Sequence, residues 1–284
     1  MEFFGPNTLV DGRGMRTEHS RREYEQGVMN HRATIKGVTL GGQLLELLCN
    51  NPQPIIIAPT RSLVNAEARA LKGTDATSPS FSVTKTDGTA ASGSGKGSMS
   101  VIDFNPRGTF RGIAPDVTLL HELVHAWRQA RGRWNPVSMS NLVNQDMVKN
   151  PAEEARNFAN WEEFLALVVE STYAAEKGQT SVRTAQGDVF FGFTVKTAPQ
   201  TPNIFNPLPM TSSQNFAERY RKALIRILNE EQDLYKLLLK SPAWFNPVRD
   251  MAGMAKYKQT PPPPGLQPNA IFPVGSAGLI DSNL

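Results

Sequence analysis

Residues 118–133 read TLLHELVHAWRQARGR, and the polar trio His121, Glu122 and His125 sits among Leu119, Leu120, Leu123, Val124, Ala126 and Trp127. A helix that is apolar on nearly every face belongs inside a domain. Burying two histidines and a glutamate there is costly unless something pairs with them. Any fold this chain adopts must therefore wrap a polar cluster in apolar layers. Residues four apart lie on one helix face about one turn apart, so His121 and His125 can direct both imidazoles at one ion. Glu122 beside them is spaced to take a proton from water held there. This is the HExxH pattern of zinc hydrolases. The bland reading, a surface turn with solvated His and Glu, is disfavoured by the apolar neighbours.

A catalytic zinc takes three protein ligands, and only four histidines exist, none after His125. HExxHxxGxxH would need Gly and His where Arg128 and Arg131 stand. His19 and His31 lie upstream, in the least patterned part of the chain. A carboxylate on a later helix remains. NWEEFLALVVESTY (160–173) offers Glu162, Glu163 and Glu170, with Asp146, Glu153 and Glu154 before it. Asn160 followed by Glu163 is also a capping box, which competes for the same carboxylate. Glu170, two turns on, is either a partner to a ligand histidine or the solvated end of a buried stripe. Spacing alone leaves these alternatives open.

The rest of the chain narrows the class. With 39% apolar residues, 22 Gly and 21 Pro in 284 residues, a compact centre with loop-rich margins is expected. The net charge of +4 is scattered, which argues against nucleic acid as the main partner. Cys49 is the sole cysteine, so an intramolecular disulfide and a thiolate metal cluster are both excluded. That fits work in a reducing cytosol. No apolar run reaches about 18 residues, so no membrane span is expected. The start lacks a basic region followed by an apolar core, so no ordinary secretory signal is expected.

Three regions are expected: a flexible N-terminal arm (1–35), a folded domain (36–245) and an extended Pro-rich tail (246–284) carrying Pro261 to Pro264. Within the domain, patterning predicts helices over 39–51 and 62–73 and strands over 54–59, 80–86, 100–106 and 189–197. Pro115 and Asp116 open the HELVH helix and Gly132 stops it. One long or two abutting helices fill 150–178. A last amphipathic helix spans 216–242, with Phe216, Tyr220, Leu224, Ile227, Leu234 and Leu238 as its stripe. GSGKGS (93–98) falls short of a phosphate loop, because Gly97 follows Lys96 and Ala90 stands where the first Gly belongs.

GSGKGSMSVIDFNP (93–106), VTLLHELVHAWRQARGR (117–133) and WEEFLAL (161–167) together resemble the NleD-like family of effector metallopeptidases. The resemblance implies a zincin-like α+β domain with a small sheet packed on the active-site helix. It implies a zinc metalloendopeptidase with Zn2+ as cofactor and Glu122 as general base. It also implies a bacterial effector or toxin, delivered by a specialised secretion system and cleaving a protein in the target-cell cytosol. A secretion chaperone or an immunity protein is the further kind of partner it allows. The Glu-Phe-x-Ala stretch is similar to the third-ligand helix of the anthrax lethal factor protease. Matched residue by residue, its zinc-binding Glu falls on Glu163, with Glu162 the neighbouring alternative, while an acidic position one turn on is Leu167 here. Tyr173 and Tyr220 are the tyrosines that would stabilise an oxyanion, with core packing as their ordinary reading. Two other readings differ in class: a non-catalytic, zinc-stabilised protein-binding module, and an HExxH hydrolase acting on a non-peptide amide.

Overall fold

A computed structural model describes residues 2–60, 66–84, 89–108, 113–185, 190–192 and 212–259. In chain order the elements are β1 (Glu2–Gly5), β2 (Thr8–Val10), α1 (Glu18–Lys36), α2 (Thr39–Cys49), β3 (Ile55–Pro59), β4 (Glu67–Ala70), α3 (Gly73–Ala76), β5 (Ser82–Thr84), β6 (Ala90–Ser92) and β7 (Ser100–Phe104). They continue with α4 (Pro115–Ala130), α5 (Pro151–Ala155), α6 (Trp161–Glu176), β8 (Ser181–Arg183), β9 (Phe190–Gly192), α7 (Ser212–Arg219), α8 (Arg221–Glu230), α9 (Gln232–Lys240) and α10 (Pro247–Gln259).

The protein is α+β. Five strands form one sheet in the order β1-β2-β3-β7-β4. The parallel centre aligns Ile55 to Pro59 with Ser100 to Phe104, and β4 closes one edge antiparallel to β7. Ile55, Ile57, Ile102 and Phe104 are buried from this sheet. Beside it runs α4, in which every residue from Leu119 to Ala130 is buried, as its all-round apolar sequence requires. Against α4 lies α6, buried from Trp161 to Ala175 except at Glu163.

Tight backbone packing fixes the end of α4. Gly132 has φ +65, and a Cβ there would lie 2.3 Å from the carbonyl of Gly95. A Cβ at Gly97 would lie 2.1 Å from the carbonyl oxygen of Ala130. Gly95 and Gly97 of GSGKGS therefore serve close approach to the α4 terminus. Gly132→Ala meets both a left-handed φ and a backbone clash. It should cost more than about 1 kcal/mol, read as a Tm lower by at least about 2–4 °C in a thermal melt.

Several expectations are corrected. The flexible arm of residues 1–35 is instead two strands and a 19-residue helix. Phe4, Val10, Tyr24, Val28 and Ile35 are buried in the core. Its polarity misled because α1 buries only a narrow stripe and exposes the rest. Residues 67–70 are a strand, where a helix over 62–73 was expected. Pairing with β7 overrides the helix propensity of Glu, Ala and Arg. The amphipathic run 216–242 is split at Tyr220 and Glu231, which leave helical geometry (φ −134, ψ 63 at Glu231), yet every residue of its predicted stripe is buried. The 246–284 tail begins with α10, whose Val248, Met251 and Ala252 are buried. Pro261 to Pro264 lie outside the described residues, as do residues 193–197 of the last predicted strand. No helix among the described residues is long and apolar enough to cross a membrane.

Candidate active site

The site forms where α4 faces α6. Pro115 at the first turn starts α4, and Asn160 starts α6 by accepting the Glu163 backbone N–H at 3.1 Å. This resolves the competition posed by the capping box. The cap uses the backbone of Glu163 and leaves its side chain free to reach across to α4. His121 and His125 bring their Nε2 atoms to 3.1 Å from each other. Glu163 Oε2 lies 3.4 Å from His121 Nε2, and Oε1 lies 3.2 Å from His125 Nε2. Among the described residues, these three form the one group of His, Cys, Asp or Glu suited to hold a metal.

The donor set fits zinc. Tetrahedral bonds of about 2.0–2.2 Å place ligand atoms about 3.3–3.5 Å apart, close to all three separations. Two nitrogens and a carboxylate are also ligands that zinc takes readily. Glu163 is the only partly exposed residue along this stretch of α6, so the cluster opens to solvent on that side.

The surroundings orient these groups. His121 Nδ1 meets Glu170 Oε2 at 2.8 Å, so Glu170 stands behind a histidine and is not a solvated helix end. Arg183 donates from Nε to Glu170 Oε1 at 3.1 Å and from Nη2 to Oε2 at 2.5 Å. His125 packs edge-on to Trp134, with ring centroids 5.3 Å apart, and its buried Nδ1 has no hydrogen-bond partner among the described residues. Glu122 Oε2 accepts the backbone N–H of Ala68 on β4 at 2.8 Å. Gln129, two turns on, donates to the Ala68 carbonyl at 3.2 Å.

Electrostatics follow from burial. Burial raises the pKa of the Glu122 carboxyl, opposed in part by His121 and His125. Burial works against an imidazolium at His121, but hydrogen bonds to Glu163 and Glu170 outweigh it and raise its pKa to about 10. Burial would also raise Glu163 and Glu170, yet their histidine partners, with Arg183 at Glu170, hold both below the usual carboxylate range. Without metal, His121 therefore carries a proton at neutral pH. Its contact with the carboxylates stabilises the fold fully below the unfolded value near 6.5 and is lost as pH rises through about 10. A metal takes only neutral imidazole, so binding must expel that proton. Zinc affinity should rise about tenfold per pH unit between pH 6 and 9. Calorimetry in buffers of different ionisation enthalpy should read about one proton released per zinc at pH 7.

Other predicted residues are placed elsewhere. Glu162 turns away from the histidines and is fully buried against Arg128, with Nε at 2.8 Å and Nη2 at 2.9 Å. It also accepts the Asn135 N–H at 2.6 Å. The Tyr173 hydroxyl donates to Asp116 at 2.7 Å and that of Tyr220 to Glu154 at 2.6 Å. Burial, with these carboxylate partners, pushes both phenol pKa values up. Both tyrosines are thus buried with their hydroxyls bonded to carboxylates. Arg183 and the Ala68 N–H went unforeseen. A lone Arg on a short strand carries no periodic signal, and a backbone donor has no sequence signature.

Comparison with known proteins decides the family. Residues 11–160, more than half of the chain, match the peptidase M91 family, described as effector protein. The chain belongs to the peptidase M91 family. It is thus a peptidase of an effector family, and the class expected from the NleD-like resemblance is met at that level. The M91 match contains His121, Glu122 and His125 and ends at Asn160, the cap of the helix that carries Glu163. Among the curated proteins, no match is found.

Proposed function

We propose that the chain is a zinc-dependent metalloendopeptidase of zincin-like build, with His121, His125 and Glu163 as metal ligands and Glu122 as general base and acid. The observation that carries this is the convergence of two Nε2 atoms and one carboxylate at 3.1–3.4 Å, with the HExxH glutamate beside them. Zinc in such a site supplies Lewis acidity, lowering the pKa of water from 15.7 to about 7 and polarising a carbonyl oxygen.

The chain's own groups do the rest. Glu170 accepts from His121 Nδ1, which leaves the Nε2 lone pair for the ion. Glu122, held at Oε2 by the Ala68 N–H, receives a proton from the attacking water. It then returns that proton to the amine nitrogen as the peptide C–N bond breaks. Burial raises the pKa of Glu122, the direction that favours proton uptake by this carboxyl. The substrate is a protein inside another cell, reached through a specialised bacterial secretion system. The effector family supports that reading, and the lack of any possible intramolecular disulfide fits it.

Metal removal tests the reading. Purified protein should cleave an unfolded polypeptide, lose that activity in a strong chelator, and regain it with one equivalent of zinc. Cleavage that persists in the zinc-free protein would mean that the chemistry is done elsewhere. Zinc binding without any cleavage would favour the protein-binding module.

A further inference from the structure

We infer that Arg183 is a positioning residue for the metal site, acting through Glu170 on His121. This rests on the reading of His121 as a zinc ligand. Arg183 belongs to β8, beyond the matched region, and is held at two points by neighbouring residues of α6. Its side chain forks onto both oxygens of Glu170, and its carbonyl accepts the Ser171 hydroxyl at 2.5 Å. Its side chain is 9% exposed and that of Glu170 is 3% exposed, so the pair is made almost out of water.

The geometry fixes who donates to whom. Arg183 Nη2 lies 3.3 Å from His121 Nδ1, and both atoms approach the same oxygen, Glu170 Oε2. Guanidinium has only donors, so Nη2 would bond to Nδ1 only if that nitrogen lacked its hydrogen. Then Nδ1 would have nothing to give Glu170, although it lies 2.8 Å from that carboxylate. The consistent arrangement has both nitrogens donating to Oε2. That places a hydrogen on His121 Nδ1, so the proton a metal must expel is the one on Nε2, whose lone pair would then face His125 and Glu163. Arg183 pins the carboxylate plane and occupies its remaining oxygen. Without it, Glu170 is free to rotate away from the imidazole.

The experiment measures zinc affinity of the full chain by competition with a chromogenic chelator, for wild type, Arg183→Met, Arg183→Lys, Glu170→Gln and the Glu170→Gln/Arg183→Met double variant. Cobalt substitution adds a visible spectrum that reports ligand geometry. Arg183→Met should weaken zinc binding about 10–100-fold and alter the cobalt bands, as loss of an outer partner does. Arg183→Lys should recover part of the loss, because it keeps the charge but not the fork. The double variant should bind no worse than the weaker single variant, since both act along one path. Unchanged affinity in Arg183→Met, or losses that multiply in the double variant, would overturn the inference. If Arg183→Met leaves Glu170 unpaired and unfolds, the double variant removes both charges. Its affinity then decides: equal to Glu170→Gln supports the inference, and a further tenfold loss overturns it. Wild type without stoichiometric zinc, or zinc indifferent to Glu163→Ala, overturns this inference together with the reading beneath it, and so separates the two failures.

Discussion

Glu122→Gln should keep its zinc and lose about 10²–10⁴-fold in kcat/KM. The glutamine preserves shape and can still meet the Ala68 N–H through its carbonyl oxygen. It cannot take a proton from water and hand it to a departing amine. The loss should fall on kcat, because the carboxylate works on the reacting atoms and not on substrate affinity. Zinc content should stay at one per chain, since Glu122 is not among the converging ligand atoms. Single-turnover cleavage of an unfolded polypeptide, with metal analysis of the same sample, checks both halves. A variant as active as wild type would remove Glu122 from the chemistry.

The second large effect concerns Arg128, a fully buried charge beside the site. Its guanidinium pairs with Glu162 at 2.8 Å and Glu231 at 2.6 Å, with side-chain exposures of 0%, 0% and 2% for Arg128, Glu162 and Glu231. It lies 4.6 Å over the Trp161 ring, and Arg226 covers the same ring at 4.5 Å. One residue thus ties α4 to α6 and to the α8–α9 junction. Arg128→Met leaves two carboxylates buried with less than their full set of donors. Breaking such a pair should cost about 3–5 kcal/mol, read from the urea midpoint of the metal-free protein. Arg128→Lys should recover only part, since an ammonium cannot make the two-point contact with Glu162. Because Glu162 precedes Glu163 on the same turn, both variants should also weaken zinc binding.

The sequence made parts of this arrangement legible for physical reasons. His121, Glu122 and His125 were readable because helix periodicity fixes their common face whatever surrounds them. The strands at Ile55 and Ser100 were readable because short apolar runs between breakers have few other fates. Glu163 was separated from Glu162 only by resemblance, because adjacent carboxylates on a helix differ by a rotation that periodicity alone does not anchor. The structure turns Glu162 inward to Arg128 and Glu163 outward to the histidines. The missed features are all set by distant partners. Residues 67–70 have helix-forming composition, and β7 makes them a strand. Glu231 breaks a helix because Arg128, Arg131 and Arg133 draw its carboxylate inward. Arg183 reaches Glu170 only because β8 folds back along α6.

The most direct measurement is equilibrium dialysis of zinc against the wild-type chain and its Glu163→Ala and Glu162→Ala variants. One zinc should be held tightly per wild-type chain. That zinc should be lost in Glu163→Ala and retained in whatever Glu162→Ala protein remains folded. Absence of stoichiometric zinc in wild type, or zinc held by Glu163→Ala and lost from folded Glu162→Ala, would contradict this ligand assignment.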